Sequence, residues 1–240
     1  MTTVSLDVFL AQMARLLDGR SSAQQVEAIL GPSPSGTSRL GLYPTLVERQ
    51  QRSVIDDFYV AARIAAESAA PGRFAKLRDS FLRAHPPSHW APPRAGEQFG
   101  AFLESKSASA ELVELVDYAW TRHQVVHTAI EDPASVVVRH YTHRVREFSR
   151  LVEREGKTKG RPAKEPDTCL IGRSRDTAQL VVVDASVAAL VVLQVLEDQG
   201  WSDELPHVAR ESMLEEAQRL RDLGLLSEGR RAALAGWLPR

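Results

Sequence analysis

The side chains in this 240-residue chain best suited to metal or nucleophilic chemistry are its seven histidines and its one cysteine. His123 and His127 stand at i, i+4 in a segment that predicts a helix, so both rings can share one face. With Asp117 and Glu131 in the same segment, two such ligands could hold a metal. Gln124 occupies the place where a zinc protease carries its general base, so the HExxH pattern is absent. His140 and His143 fall at odd spacing in a stretch that reads as a strand, which turns them to opposite faces. The expectation for the histidines is packing or solvent exposure, and a metalloenzyme using His123 and His127 stands as the alternative. Cys169 alone can build neither a disulfide framework nor a cysteine zinc site. It falls in a predicted strand and reads as a small buried hydrophobe. No phosphate-binding G-x-x-x-x-G-K, no G-x-S-x-G and no G-x-G-x-x-G occurs. The carboxylate pairs Asp56–Asp57 and Glu215–Glu216 are adjacent in helices, point apart and read as solvated surface. The bases Lys157, Lys159, Arg161 and Lys164 also read as solvated, with the option of steering an acidic peptide or a negative protein surface. No catalytic set emerges, so the chain is expected not to be an enzyme and to carry no metal or cofactor of its own.

The elements that would position these groups change character along the chain. Leu6, Phe9, Leu10, Met13, Leu16 and Leu17 recur at helical spacing after Ser5, and Gly19 ends the run. Ser22 and Gln25 form the signature of a capping box before a short helix through Leu30. GPSPSGTS (31–38) reads as a loop. One helix is predicted from Tyr43 to Ala70, broken by Pro71-Gly72, and further helices from Phe74 to Ala84, Phe99 to Glu104 and Ala110 to Ile130. The run HPPSHWAPPRA (85–95) holds too many prolines for a helix. The β-branched and aromatic stretch 136–148 predicts a strand. Residues 154–167 are charged and aperiodic and read as a mobile connection. CLIGRSR (169–175) and QLVVVD (179–184) predict two more strands. Helices are expected at 185–199, with Asp184 as cap, at about 204–211 and at 213–223. The fold expected is α+β. An all-helical domain over 1–132 precedes a small winged-helix-like domain over 133–240, with a three-stranded sheet and three helices.

Charge and hydropathy limit the partners. The net charge of −1 and the pI near 6.7 lack the basic excess of a dedicated nucleic-acid domain, so nucleic acid is an unlooked-for partner. The start MTTVSLDVFLAQ carries Asp7 and no basic n-region, and so does not read as a signal peptide. The apolar run Leu180 to Leu196 contains Asp184 and is too short and polar to span a bilayer. With one cysteine, a cytoplasmic location is the expectation.

Two stretches resemble known families. FYVAARIAAESAAPGRFAKLRDSFLRAHPPSHW, then GEQFGAFL and ELVELVDYAW, resemble the N-terminal domain of the HvfC/BufC-type proteins, often labelled DNA-binding domains. Phe58, Phe74, Phe81, His85, Pro86, Phe99, Phe102, Leu103 and Trp120 occupy the family's positions. Tyr59 stands where a proline is usual, and Ala119 where a glutamate is usual, which puts any role of that glutamate in doubt. The run from Asp184 through Ala189 to Leu193, with the ending LRDLGLL, is similar to the PqqD-like peptide-recognition domains, the RiPP recognition elements. This pairing of domains implies a partner protein of the multinuclear non-haem iron oxygenases. Such a partner presents a ribosomally synthesised precursor peptide for post-translational modification, and the iron sits on the oxygenase.

What the second resemblance implies is binding by strand addition, with main-chain bonds giving affinity and side-chain pockets selectivity. The expected peptide-binding residues are Gln179, Leu180, Val181, Val182 and Val183 on the last strand, faced by Leu214, Gln218 and Arg221 on one side of the final helix. Arg221 would pair with an acidic leader residue, although Leu180, Val182 and Leu214 can equally serve as plain core. His89 and Trp90, in the proline-rich loop, are the candidate contacts to the oxygenase. The rival reading is a DNA-binding transcriptional regulator. Helix 213–223, with three acids against two arginines, is poorly made for entering a groove.

Overall fold

In the computed structural model of the chain, residues 5–17, 19–31, 40–85, 97–127, 136–156, 159–202 and 204–238 are described. They form eleven helices and one three-stranded antiparallel sheet, so the protein is mixed α and β and mostly helical. The contacts divide the chain into two compact units, Met1–Ser107 and Ala108–Arg240. Among the described residues no helix is long and apolar enough to cross a membrane.

The described part of the first unit is all helical: α1 Leu6–Leu17, α2 Ala23–Leu30, α3 Leu42–Phe58, α4 Val60–Ala69, α5 Arg73–Ala84 and α6 Phe99–Ser105. The capping box forms as its spacing predicts. Gln25 N–H donates to Ser22 Oγ (3.3 Å), and Ser22 N–H donates to Gln25 Oε1 (2.8 Å). The single helix expected from Tyr43 to Ala70 is two helices. Tyr59 leaves helical geometry at φ −107°, ψ 42°. Its ring is buried 5.3 Å from that of Phe99. The ladder almost persists, with Arg63 N–H donating to Tyr59 O at 2.9 Å, so the interruption is a kink fixed by the buried ring. Glu67 then holds the turn into α5. Its carboxylate accepts from Gly72 N–H (2.6 Å) and Phe74 N–H (3.1 Å), serving donors that a helix start leaves open. Gly72 sits at φ 73°, where a residue with a Cβ is strained. Phe99 is fully buried between Phe74 and Phe81 at ring distances of 5.9 and 5.1 Å. Of α1, only Gln12 and Leu16 are buried, while Leu6, Phe9 and Leu10 are exposed.

The second unit runs α7 Ala110–His127, β1 Val137–Tyr141, α8 Val145–Glu155, β2 Asp167–Arg173, β3 Leu180–Asp184, α9 Val187–Asp198, α10 Arg210–Asp222 and α11 Glu228–Trp237. The expected domain boundary at 132/133 does not coincide with the division at 107/108. The reason is that α7 packs on all three strands. The predicted strand 136–148 stops at Tyr141. Glu114 accepts from Thr142 N–H (2.8 Å) and His143 N–H (3.1 Å), turning the chain. Val145, Phe148, Ser149 and Val152 then bury one face of α8, a 3.6-residue period that the β-branched run before it obscures. The connection after α8 is pinned where it is described. Arg144 N–H donates to Ala163 O (2.9 Å), and Arg161 pairs with Glu111. Described residues 204–209 hold no helix, and the third helix after the sheet lies beyond the predicted stretch, at α11.

The sheet order is β1-β2-β3, with Ile171 opposite both Val137 and Val182. Alternation assigns its two faces. Val138, Leu170, Val181 and Val183 pack into the core of α9–α11, beside Val192, Met213 and Leu220. On the other face Arg139 and Tyr141 reach Asp117 of α7, at 3.1 and 2.9 Å. Ser186, not Asp184, caps α9, its Oγ accepting from Ala189 N–H at 2.9 Å. Gly224, at φ 71°, lets the end of α10 close on the β2–β3 turn. A Cβ there would lie 2.3 Å from Ser174 Oγ and 3.1 Å from Arg175 N.

Candidate functional site

The geometry of β3 decides what it can offer another chain. Ser174 N–H donates to Gln179 O (2.8 Å), and Ala185 N–H donates to Thr168 O (3.0 Å). In an antiparallel ladder the pairing alternates, so 179, 181, 183 and 185 turn their main chains toward β2. Leu180, Val182 and Asp184 turn theirs outward. Among the described residues no strand pairs with this outer edge. Gln179 is exposed and precedes the strand, and its carbonyl is already used by Ser174. Of the five residues expected to form a peptide edge, two therefore present their main chain outward. Val181 and Val183 spend their side chains on the core.

Two of the three outward carbonyls meet arginines. Arg150 Nη2 of α8 donates to Val182 O at 2.8 Å, and Arg219 Nη2 of α10 approaches Asp184 O at 3.4 Å. Arg146, one turn before Arg150, pairs with Asp184 and with buried Asp167 (3.2 Å). The hydrogen bond from Arg146 holds the Asp184 carboxyl below its ordinary value, and the fields of Arg146, Arg150 and Arg219 add to this. Sequence reasoning misses both: Arg146 falls in the stretch 136–148 that reads as a strand, and Arg150 falls just past it in no predicted element. Their i, i+4 spacing opposite Val145, Phe148 and Val152 is the signal that finds them.

The other expected residues are brought in only partly. Leu214 packs half-buried against the same core as Val181 and Val183. Gln218 donates to Asp222 (2.7 Å). Arg221 pairs with Glu228 (2.6 Å) and Asp222 (3.3 Å), so its acidic partners come from its own chain. Arg219, not Arg221, reaches the end of β3. His89 and Trp90 lie outside the described residues.

The histidines separate. The rings of His123 and His127 stand 4.2 Å apart, with Trp120 5.3 Å from His123. Burial, then the His127 charge, keeps His123 below its usual value. Asp117, a conceivable third ligand, is taken by Arg139 and Tyr141, and Glu131 lies outside the described residues. Among the described residues no group of three or more His, Cys, Asp or Glu side chains converges as a metal site does. His143 lies in the turn after β1, with Nδ1 3.0 Å from Glu114 Oε2. His140 is exposed beside Thr168. Cys169 is buried, as its strand position predicts. Burial first, then Asp167, pushes its thiol up to about 12, which keeps it protonated and unreactive near neutrality. Asp56 is no solvated surface group, being paired with Arg78.

No protein-family model matches the sequence, and no curated protein matches it.

Proposed function

We infer that the chain is a non-catalytic binding protein whose second unit takes up an extended peptide along the outer edge of β3. The observation that carries this reading is the edge itself. Among the described residues, the outward carbonyls of Val182 and Asp184 meet arginine side chains, which are long and can swing aside for an incoming main chain. Strand addition uses such an edge, main-chain bonds supplying affinity and flanking side chains selectivity.

The likeness of the segments around β3, α9 and α10 to PqqD-like, winged-helix-like recognition domains supports the same reading. So does the likeness of the helical stretch to HvfC/BufC-type proteins, four of whose phenylalanine positions, Phe74, Phe81, Phe99 and Phe102, form a single cluster here. On this reading the peptide is a ribosomally synthesised precursor and the partner a multinuclear non-haem iron oxygenase. The iron belongs to that partner, and the complex works in the cytoplasm.

The test is co-purification. The tagged chain, co-expressed with an oxygenase and a short peptide encoded beside it, retains both. Val182→Pro deletes an outward N–H without removing a bond to β2, a placement that edge strands tolerate. It keeps the fold by circular dichroism and the oxygenase on the column, and loses peptide at least tenfold. A wild-type chain that retains neither partner at micromolar concentration sinks the reading.

A further inference from the structure

This inference rests on the edge-binding reading and concerns what the bound peptide must carry. Three guanidiniums and three carboxylates meet at β3, and they are shared unevenly. Arg146 engages both Asp167 and Asp184, and Arg219 engages Glu216. Arg150 is exposed and makes no ion pair among the described residues, and its bond is to the neutral carbonyl of Val182. Asp184 is the exposed carboxylate of the edge, and Arg146 already holds it.

An incoming strand must donate its own N–H groups to Val182 O and Asp184 O. Doing so evicts Arg150 and Arg219. A guanidinium presents five donors and no acceptor, so each eviction frees donors for water or for an acceptor on the arriving chain. A carboxylate is the best such acceptor, because its bonds to arginine are charge-assisted and can be bidentate.

The two arginines approach from opposite sides. Arg150 comes from α8, which packs on α7, on the face of Cys169 and Ile171. Arg219 comes from α10, on the face of Leu170 and Val183. Successive side chains of a strand alternate between faces. The spacing of the acids on the guest is thereby constrained.

We propose that the peptide accepted along β3 is acidic, with Arg150 and Arg219 as its specificity-determining residues. One Asp or Glu faces Arg150, and a second, at an odd spacing from the first, faces Arg219. Arg150 is the stronger determinant because, among the described residues, no carboxylate is ion-paired with it, whereas Arg219 is paired with Glu216.

The experiment is selection from a displayed library of random decapeptides on the full chain at low salt. Peptides recovered on the wild-type chain carry two acids at odd spacing within an alternating apolar pattern. Fluorescence anisotropy with the best of them shows at least tenfold weaker binding to Arg150→Gln and a several-fold loss with Arg219→Gln. The charge-reversed Arg150→Glu selects Lys or Arg at the matching position, a gain that an unfolded variant cannot produce. Peptides without acidic bias, or a bias unchanged by Arg150→Glu, overturn the charge assignment and leave edge binding standing. Peptides that bind Val182→Pro equally well, or no recovered peptides at all, overturn edge binding and this proposal together.

Discussion

The aromatic cluster of the helical unit and the core on the α9–α11 face of the sheet are built from different materials. In the helical unit, rings pack on rings, and Phe99 touches Tyr59, Phe74, Phe81 and Phe102 at 5.1 to 6.5 Å. In the second unit the core under the sheet is aliphatic, from Leu170 through Val192 and Leu220 to Leu234. Aromatic clusters concentrate stability in a few large side chains with preferred geometry. Aliphatic cores spread it over many small contacts and rely on backbone closeness. The first unit should therefore fail at single side chains, the second at single backbone positions.

The contrast is broken most directly at Phe99. Phe99→Ala should cost the helical unit about 3–5 kcal/mol, read as faster hydrogen exchange over 42–105 with exchange over 167–195 unchanged. Equal acceleration in both stretches would deny that the units differ in this way. Gly224→Ala is the matching test in the second unit. It introduces no large group, yet it forces a Cβ against Ser174 and a strained backbone onto the α10–turn junction. A loss of about 1–3 kcal/mol is expected, with the exchange change now confined to 167–226. A neutral result would show that the closeness there is dispensable.

A smaller effect is expected at the surface of the first unit. Burial pushes the Asp79 carboxyl up, but bonds from Arg78 and the charge of Arg52 outweigh it and hold it below its ordinary value. Its folded value thus lies under its unfolded one. The stabilisation is complete above about pH 4 and is lost as pH falls through the folded value. Asp79→Asn should flatten the acid limb of the melting temperature for the first unit alone. An unchanged limb would mean the network is too solvated to matter.

Several helical boundaries were legible where chemistry marks them. Ser22 with Gln25, Gly19 and Pro71-Gly72 each ended or began a helix where expected. Tyr59 was not legible as a break, because the cause is a ring buried against Phe99, forty residues away in sequence. The second and third strands lie close to their predicted positions, and the first begins where expected but ends at Tyr141. The helix α8 was hidden because Val, Tyr and Thr upstream of it suggest a strand, and the turn that separates them is held by Glu114, a residue of a distant helix. That reading concealed Arg146 and left Arg150, two residues past the predicted strand, outside any element. The outer edge of β3 was therefore expected as bare main chain, when two of its outward carbonyls are attended by side chains from two helices. Arg221 shares a predicted helix face with Leu214 and Gln218, but helical spacing alone cannot show that Glu228 already holds it.

The attendance of Arg150 and Arg219 on β3 bears on the protein when it is alone. Bare strand borders invite indiscriminate adhesion, and long cations placed there are a known remedy. A second copy bringing up its own β3 would bring the same pair of cations, and like charges would face each other across the seam. The feature that admits a guest of opposite sign also turns away the protein's own kind.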